Sequence, residues 1–268
     1  WENRSHRNDS WLQTAILSYQ DEPAIDSVFL GFASLWALKE PEAEFPYLGQ
    51  LAYRMALSSD LSKDPMLPQF ITGSGFRKVN SRLIVLQLLR GLKQQNKEVP
   101  SWMLNSALAE LLSEWRTELL TQIEDSKADI PLRSKSLSDL SLLADFQSVS
   151  HRISVFLEAK HPVELQLAAL EALGSYREPA VADMLIDAWP KMTPTLRDKA
   201  TTILLSRTDR IAKLLDAIEA KKITPAQLSV AAKATLGRQK TPALAERIAK
   251  LIGDGSSSNR KDVIAKYA

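Results

Sequence analysis

His6, His151 and His161 are the only imidazoles in this 268-residue chain, and there is no cysteine. The missing thiol excludes a thiolate nucleophile, a Cys-ligated zinc or iron–sulfur site, and covalent haem attachment within these residues. His151 and His161 stand on either side of an expected helix end, without a carboxylate and second ligand at metal spacing, so they read as surface or capping residues. No glycine-rich phosphate loop, GxSxG, HExxH or calcium loop occurs. These residues therefore assign no catalytic, cofactor-binding or metal-binding side chain, and the chain reads as non-enzymatic.

Six tryptophans could form stacking platforms for bases or sugars. Trp11, Trp36, Trp102, Trp115 and Trp189 each fall three or four residues from Leu, Ile or Ala, the register of a helix core, and Trp1 is terminal. Charge offers more. The chain has 34 basic and 32 acidic residues, net +2, too balanced for a nucleic-acid footprint. Yet residues 190–268 carry 16 Lys/Arg against 7 Asp/Glu, net +9, which leaves −7 on 1–189. This asymmetry reads as solvated helix faces or as a docking surface for an acidic partner, with Arg197, Arg207 and Lys213 as its candidate residues. A helical-repeat DNA glycosylase would need a cationic groove, aromatics and an acidic catalyst, and the near-zero net charge disfavours it.

The elements that would carry these residues repeat. Pro162, Pro194 and Pro225 are spaced by 32 and 31 residues; Leu165, Leu196 and Leu228, each four before Ala169, Ala200 or Ala232, by 31 and 32. After a break, each unit has a second apolar face: Ala182, Leu185, Ile186 and Trp189; Ile211, Leu214, Leu215 and Ile218; Leu244, Ile248, Leu251 and Ile252. Proline is tolerated in a first helical turn, and Thr193 and Thr224 supply capping oxygens. Each unit thus reads as a helix–turn–helix whose exposed apolar side must be covered by the next. The fold expected is an all-α HEAT/armadillo-like right-handed α-α solenoid of antiparallel helix pairs over 1–252, with the clearest repeats at 162–192, 193–224 and 225–252.

Looser helical pattern covers Trp11 to Ala15, 23–38, 47–58, 79–95, 101–124, 136–145 and 148–160, with Gly73-Ser74-Gly75 as a corner. Residues 253–268 read as a linker and short helix towards a further domain. No signal-peptide core precedes the repeats, and the most apolar run, 83–89, is far shorter than the ~20 residues of a spanning helix. A soluble fragment without direct membrane insertion is expected.

Residues 185–219 carry Trp189, then Pro194-x-Leu196-Arg197, Ala200, Leu204-Leu205-x-Arg207 and Leu214-Leu215-Asp216-Ala217-Ile218-Glu219. The tail reads Arg260-x-x-Val263-Ile264-x-x-Tyr267, and Asp9-x-Trp11 and Leu88-Leu89-Arg90-Gly91-Leu92 stand in the N-terminal half. This pattern resembles the helical-repeat region of the haem-binding, membrane-bound dehydrogenase-like proteins of planctomycetes and verrucomicrobia. In that family a sugar-dehydrogenase-like β-propeller precedes the repeats and a c-type cytochrome domain with Cys-x-x-Cys-His follows them. The resemblance implies a periplasmic or exported scaffold that positions propeller and cytochrome. Its partners would be domains of its own parent chain, and haem c would lie in the downstream domain. Without a cysteine, no haem-binding residue transfers to this chain. The alternative is a free-standing HEAT-type adaptor holding a peptide or protein on its concave face.

Overall fold

The computed structural model describes residues 46–63, 67–72, 78–104 and 106–252. Among these the protein is all-α, built of helices and short 3-10 turns with no strand. His6, Trp1, Trp11, Trp36, the expected helix at 23–38, the 73–75 corner and the 253–268 tail lie outside the described residues. The chain forms two compact units, Trp1–Glu118 and Leu119–Ala268.

The N-terminal unit contains α1 (Pro46–Ser58), α2 (Leu67–Thr72), α3 (Lys78–Gln95) and the first part of α4 (Ser106–Glu124). Helices α1 and α3 pack through Leu48, Leu51, Ala52 and Met55 on one side and Ile84, Val85, Leu88 and Leu92 on the other, all buried. Their approach is close because Gly91 has no side chain. A Cβ there would stand 2.6 Å from the Ala56 Cβ and 2.9 Å from the Tyr53 carbonyl oxygen. Helix α3 ends at Asn96, whose φ of 58° turns the chain so that Lys97 N–H reaches the Leu92 carbonyl at 2.9 Å. The stretch predicted as one helix over 101–124 is a 3-10 turn, Ser101–Leu104, followed by α4. Trp102 is consequently only half-buried, its Nε1–H donating to the Leu61 carbonyl at 2.9 Å, whereas Trp115 within α4 is buried as expected.

The C-terminal unit contains α5 (Ile130–Leu143), α6 (Phe146–Ser154), α7 (Val163–Gly174), α8 (Ala180–Ala188), α9 (Pro194–Leu205), α10 (Thr208–Glu219), α11 (Val230–Leu236) and α12 (Pro242–Ile252). Helices α5, α7, α9 and α11 pack side by side in that order, and α8, α10 and α12 form a second row; α9 also lies on α10, and α11 on α12. Leu165, Ala169, Leu196, Ala200, Leu228 and Ala232 are buried, as the repeat register requires. The small Ala at the inner position keeps neighbouring helices near the 8–10 Å separation typical of helix packing.

Several boundaries differ from the sequence reading for local reasons. Helix α5 starts before 136 because the Asp129 carboxylate accepts the Leu132 N–H at 2.7 Å, with Pro131 in the first turn. The third repeat does not continue from Pro225 as a helix. Pro225–Gln227 is a 3-10 turn, the Thr224 N–H donates to Gln227 Oε1 at 2.9 Å, and Ser229 caps a fresh start at Val230. Leu228 is therefore buried from an extended link rather than a helix. Pro190 places Trp189 in a 3-10 turn, Trp189–Lys191, yet the ring stays in the core.

Replacing Gly91 by Ala forces a Cβ into Ala56 and the Tyr53 carbonyl, and is expected to cost about 1–3 kcal/mol. At Gly237 a new Cβ meets nothing closer than 3.5 Å and φ is −61°, so Gly237→Ala is expected to be neutral or to stabilise by up to about 1 kcal/mol. Denaturant unfolding of both variants followed by circular dichroism checks the contrast.

Candidate functional site

Each helix ends with carbonyls that lack an intrahelical partner and carry the negative end of the helix dipole. In this protein cations and amides from later elements reach those ends. Lys97 Nζ donates to the carbonyls of Ala56, Leu57 and Ser59 at 3.0–3.1 Å, closing α1. Arg133, buried, donates from Nε to Ile123 at 2.9 Å and lies over the Phe156 ring. Gln166 Nε2 donates to Glu158 at 2.7 Å. Arg210 is 1% exposed and donates from Nη1 to Gly174 at 3.3 Å and from Nη2 to Tyr176, at the end of α7. Burial, with Arg207 close by, pulls the Arg210 guanidinium below its ordinary pKa.

In the C-terminal unit, ion pairs run from α9, α10 and α12 back to the preceding helix of the same row. Lys199 of α9 meets Glu171 of α7 at 2.5 Å, Lys213 of α10 meets Asp183 of α8 at 3.1 Å, and Arg247 of α12 meets Asp216 and Glu219 of α10 at 2.7 and 3.0 Å. The Asp216 and Glu219 hydrogen bonds hold the Arg247 pKa above its usual value. Lys222 lies 3.8 Å from Asp187.

The sequence-designated docking residues are distributed across this network. Arg197 donates from Nε to the Trp189 carbonyl at 3.3 Å with its guanidinium 5.8 Å from the Trp189 ring centroid. Arg207 pairs with Asp209 at 3.1 Å, and Lys213 with Asp183. Arg207 stands in the turn between α9 and α10, while Arg197 and Lys213 face preceding elements of the stack. The pairs Lys199–Glu171, Lys213–Asp183 and Lys222–Asp187 each put the cation after residue 190 and the anion before it, so part of the charge asymmetry is internal pairing.

His151 is exposed in the last turn of α6. His161 is half-buried with its ring 4.9 Å from Phe156. Burial first, then Lys160 and Arg133, lower the His161 pKa, with Glu158 opposing them. Tyr176 donates its hydroxyl to the Ala144 carbonyl at 3.1 Å, and burial, reinforced by Asp145 and Glu178, pushes its pKa up. Among the described residues no group of three or more His, Asp and Glu is placed to hold a metal ion, and no helix is long and apolar enough to cross a membrane.

Comparison with protein-family models, with curated proteins and with solved structures finds no match for this chain. Its chemistry is therefore judged on its own residues.

One cleft of about 660 Å³ opens in the N-terminal unit between residues 58–62 and 92–101. Two of its charged groups are engaged locally: Lys97 holds the end of α1, and Asp60 Oδ1 accepts from Ser62 N–H and Oγ–H at 3.2 and 2.6 Å, while Glu98 on its rim is exposed. Polar groups thus serve backbone ends and turns here. The surface with ionic chemistry to offer lies on the C-terminal unit.

Arg210→Ala leaves the Gly174 and Tyr176 carbonyls without their buried donor and is expected to cost about 2–3 kcal/mol. Lys213→Gln removes an exposed pair and is expected to stay within about 1 kcal/mol. Thermal and chemical denaturation of the two variants checks the ranking.

A lowered histidine pKa in the folded state means that the unfolded chain binds the proton more tightly. The contribution of neutral His161 to stability is full above 6.5 and is lost as pH falls from there through the lowered folded value. His161→Gln is expected to flatten the fall in melting temperature over that acidic window, measured by melts across a pH series.

Proposed function

We propose that this chain is a non-catalytic scaffold, a HEAT-type right-handed solenoid that sets the geometry between other protein domains. One observation carries the reading. Helices α9, α10 and α12 and the α7–α8 turn of the C-terminal unit are each tied to elements 28 to 36 residues earlier by ion pairs or hydrogen bonds, among them Lys199–Glu171, Tyr176–Ala144 and Arg210–Gly174. Cross-links of that reach stiffen a stack against bending, which suits a spacer. Polar side chains directed at backbone ends fit the same role.

The resemblance of 185–219 and of the 260–267 tail supports a more specific form. The scaffold would belong to an exported, periplasmic dehydrogenase-like haem protein and hold a β-propeller and a c-type cytochrome domain in position for electron transfer. Haem c would be bound by the downstream domain, and the chain itself would hold no cofactor.

The reading frame of the parent gene tests the specific form. A Cys-x-x-Cys-His after Ala268 and a propeller before Trp1 are expected, and a stop codon directly after Ala268 overturns it. The purified chain is expected to show no haem absorbance and no stoichiometric metal by elemental analysis. Iron or zinc retained at one per chain overturns the non-catalytic reading.

A further inference from the structure

Two groups stand out among the cations of the C-terminal unit. One group works inside the stack: Arg133, Arg197 and Arg210 on carbonyls, and Lys199, Lys213, Lys222 and Arg247 on acids of earlier helices. The other stands in the turns that follow the first-row helices. Arg177 lies between α7 and α8, Arg207 between α9 and α10, and Arg238 with Lys240 between α11 and α12. The three arginines are 30 and 31 residues apart, in step with the repeat.

These turns share one edge of the unit. Tyr176 hydroxyl bonds from the α7–α8 turn to Ala144 in the turn after α5, and Arg210 at the start of α10 bonds back to Gly174 and Tyr176. Gly174, at the end of α7, faces Ile203 near the end of α9, so α7 and α9 run the same way. Helix α11 packs on α9, and the intervening α10 returns the chain to run in that direction too. The edge is therefore a row of arginines, with hydrogen bonds tying together the turns that carry Arg177 and Arg207.

Among the described residues the side chains of Arg177, Arg238 and Lys240 have no ion-pair or hydrogen-bond partner, and all three residues are exposed. Three acids accompany them, and Asp145, in the turn after α5, caps α6 and acts on Tyr176. Asp209 pairs with Arg207, both side chains being 39% exposed, and Glu178 has a buried carboxylate oxygen and acts on Arg210 and Tyr176. The opposite edge is compensated differently: Lys160 pairs with Glu158 at 2.9 Å, Lys222 lies near Asp187, and Lys191 acts on Glu158.

We propose that this turn edge binds an extended acidic polypeptide segment, with Arg177, Arg207 and Arg238 each taking one carboxylate. Adjacent packed helices lie about 8–10 Å apart, so the arginines repeat at that interval. A chain extended as polyproline II has three residues per turn and rises about 3.1 Å per residue, so every third side chain recurs on one face at about 9 Å. Arginine presents a planar fork that grips a carboxylate through two parallel hydrogen bonds, which lysine does not. Duplex nucleic acid offers one charge per ~1.7 Å of axis, far denser than this row. The inference deepens the domain-docking reading above and rests on it. Its test is separate, because the reading frame decides what the parent is and a titration decides what the edge binds.

The experiment uses the purified chain and a fluorescent peptide with Glu at every third position between Ser and Gly. An isomer of the same composition with its Glu contiguous, and a duplex DNA of random sequence, serve as comparators. The spaced peptide is expected to bind more tightly than either, and to weaken with salt as the Debye length falls from about 10 Å at 0.1 M to about 3 Å at 1 M. The variant R177Q/R207Q/R238Q is expected to bind about tenfold more weakly. K191Q/K221Q, on the opposite edge, is expected to stay within about twofold. Should the triple variant fail to fold, R177Q/R238Q replaces two exposed, unpartnered side chains and keeps the question open to measurement. The proposal is overturned by absence of peptide binding, by equal binding of the two isomers, by tighter binding of DNA, or by equal effects of variants on the two edges.

Discussion

The termini of the helices are the points on which the rest of this protein depends. A helix that ends inside a packed stack leaves carbonyls away from water, and each unpaired one costs free energy comparable to a lost hydrogen bond. Lys97, Arg133, Gln166, Arg197 and Arg210 each supply a donor to such a carbonyl from a residue at least eight positions away. Because the donor belongs to a later element, closing one helix also positions the next. Arg210 shows this coupling most directly, since its guanidinium ends α7 while its backbone begins α10.

Burying a guanidinium is costly unless its donors are used. Arg210 spends its two Nη groups on carbonyls at the C-terminus of α7, the negative end of a dipole, and leaves its buried Nε without a partner. The same field explains why cations rather than neutral amides close most of these ends. The exposed pairs between Lys199 and Glu171, Lys213 and Asp183, and Arg247 with Asp216 and Glu219 add register more than stability, since such pairs individually contribute at most about 1 kcal/mol. Among the described residues, caps and pairs like these spend most charged side chains of the C-terminal unit on internal geometry. What is left over, chiefly in the turns, is the chemistry available to a partner.

The repeat was legible because its physics is local and periodic. A proline near a helix start, a Leu four before an Ala, and a second face of Leu and Ile at spacings of three and four need no knowledge of distant contacts. That was enough for the burial of Leu165, Ala169, Leu196 and Ala200, and for the core placement of Trp115 and Trp189. It was not enough for the start at Val230, where Ser229 and Gln227 offered competing turn chemistry. Nor did apolar spacing alone distinguish Trp102 in a 3-10 turn from Trp115 in a helix.

By itself, then, the sequence determined the helical class of the described residues, the burial of Leu165, Ala169, Leu196 and Ala200, and the absence of thiols, all of which follow from residue type and short-range spacing. Tertiary structure alone decided which charges are free. Lys213 and Arg177 look alike as single basic residues, and only folding brings Asp183 to within 3.1 Å of the first while leaving the second exposed in a turn. The physical reason is that an ionic partner lying about thirty residues away is chosen by helix stacking, and no local preference of the chain encodes it.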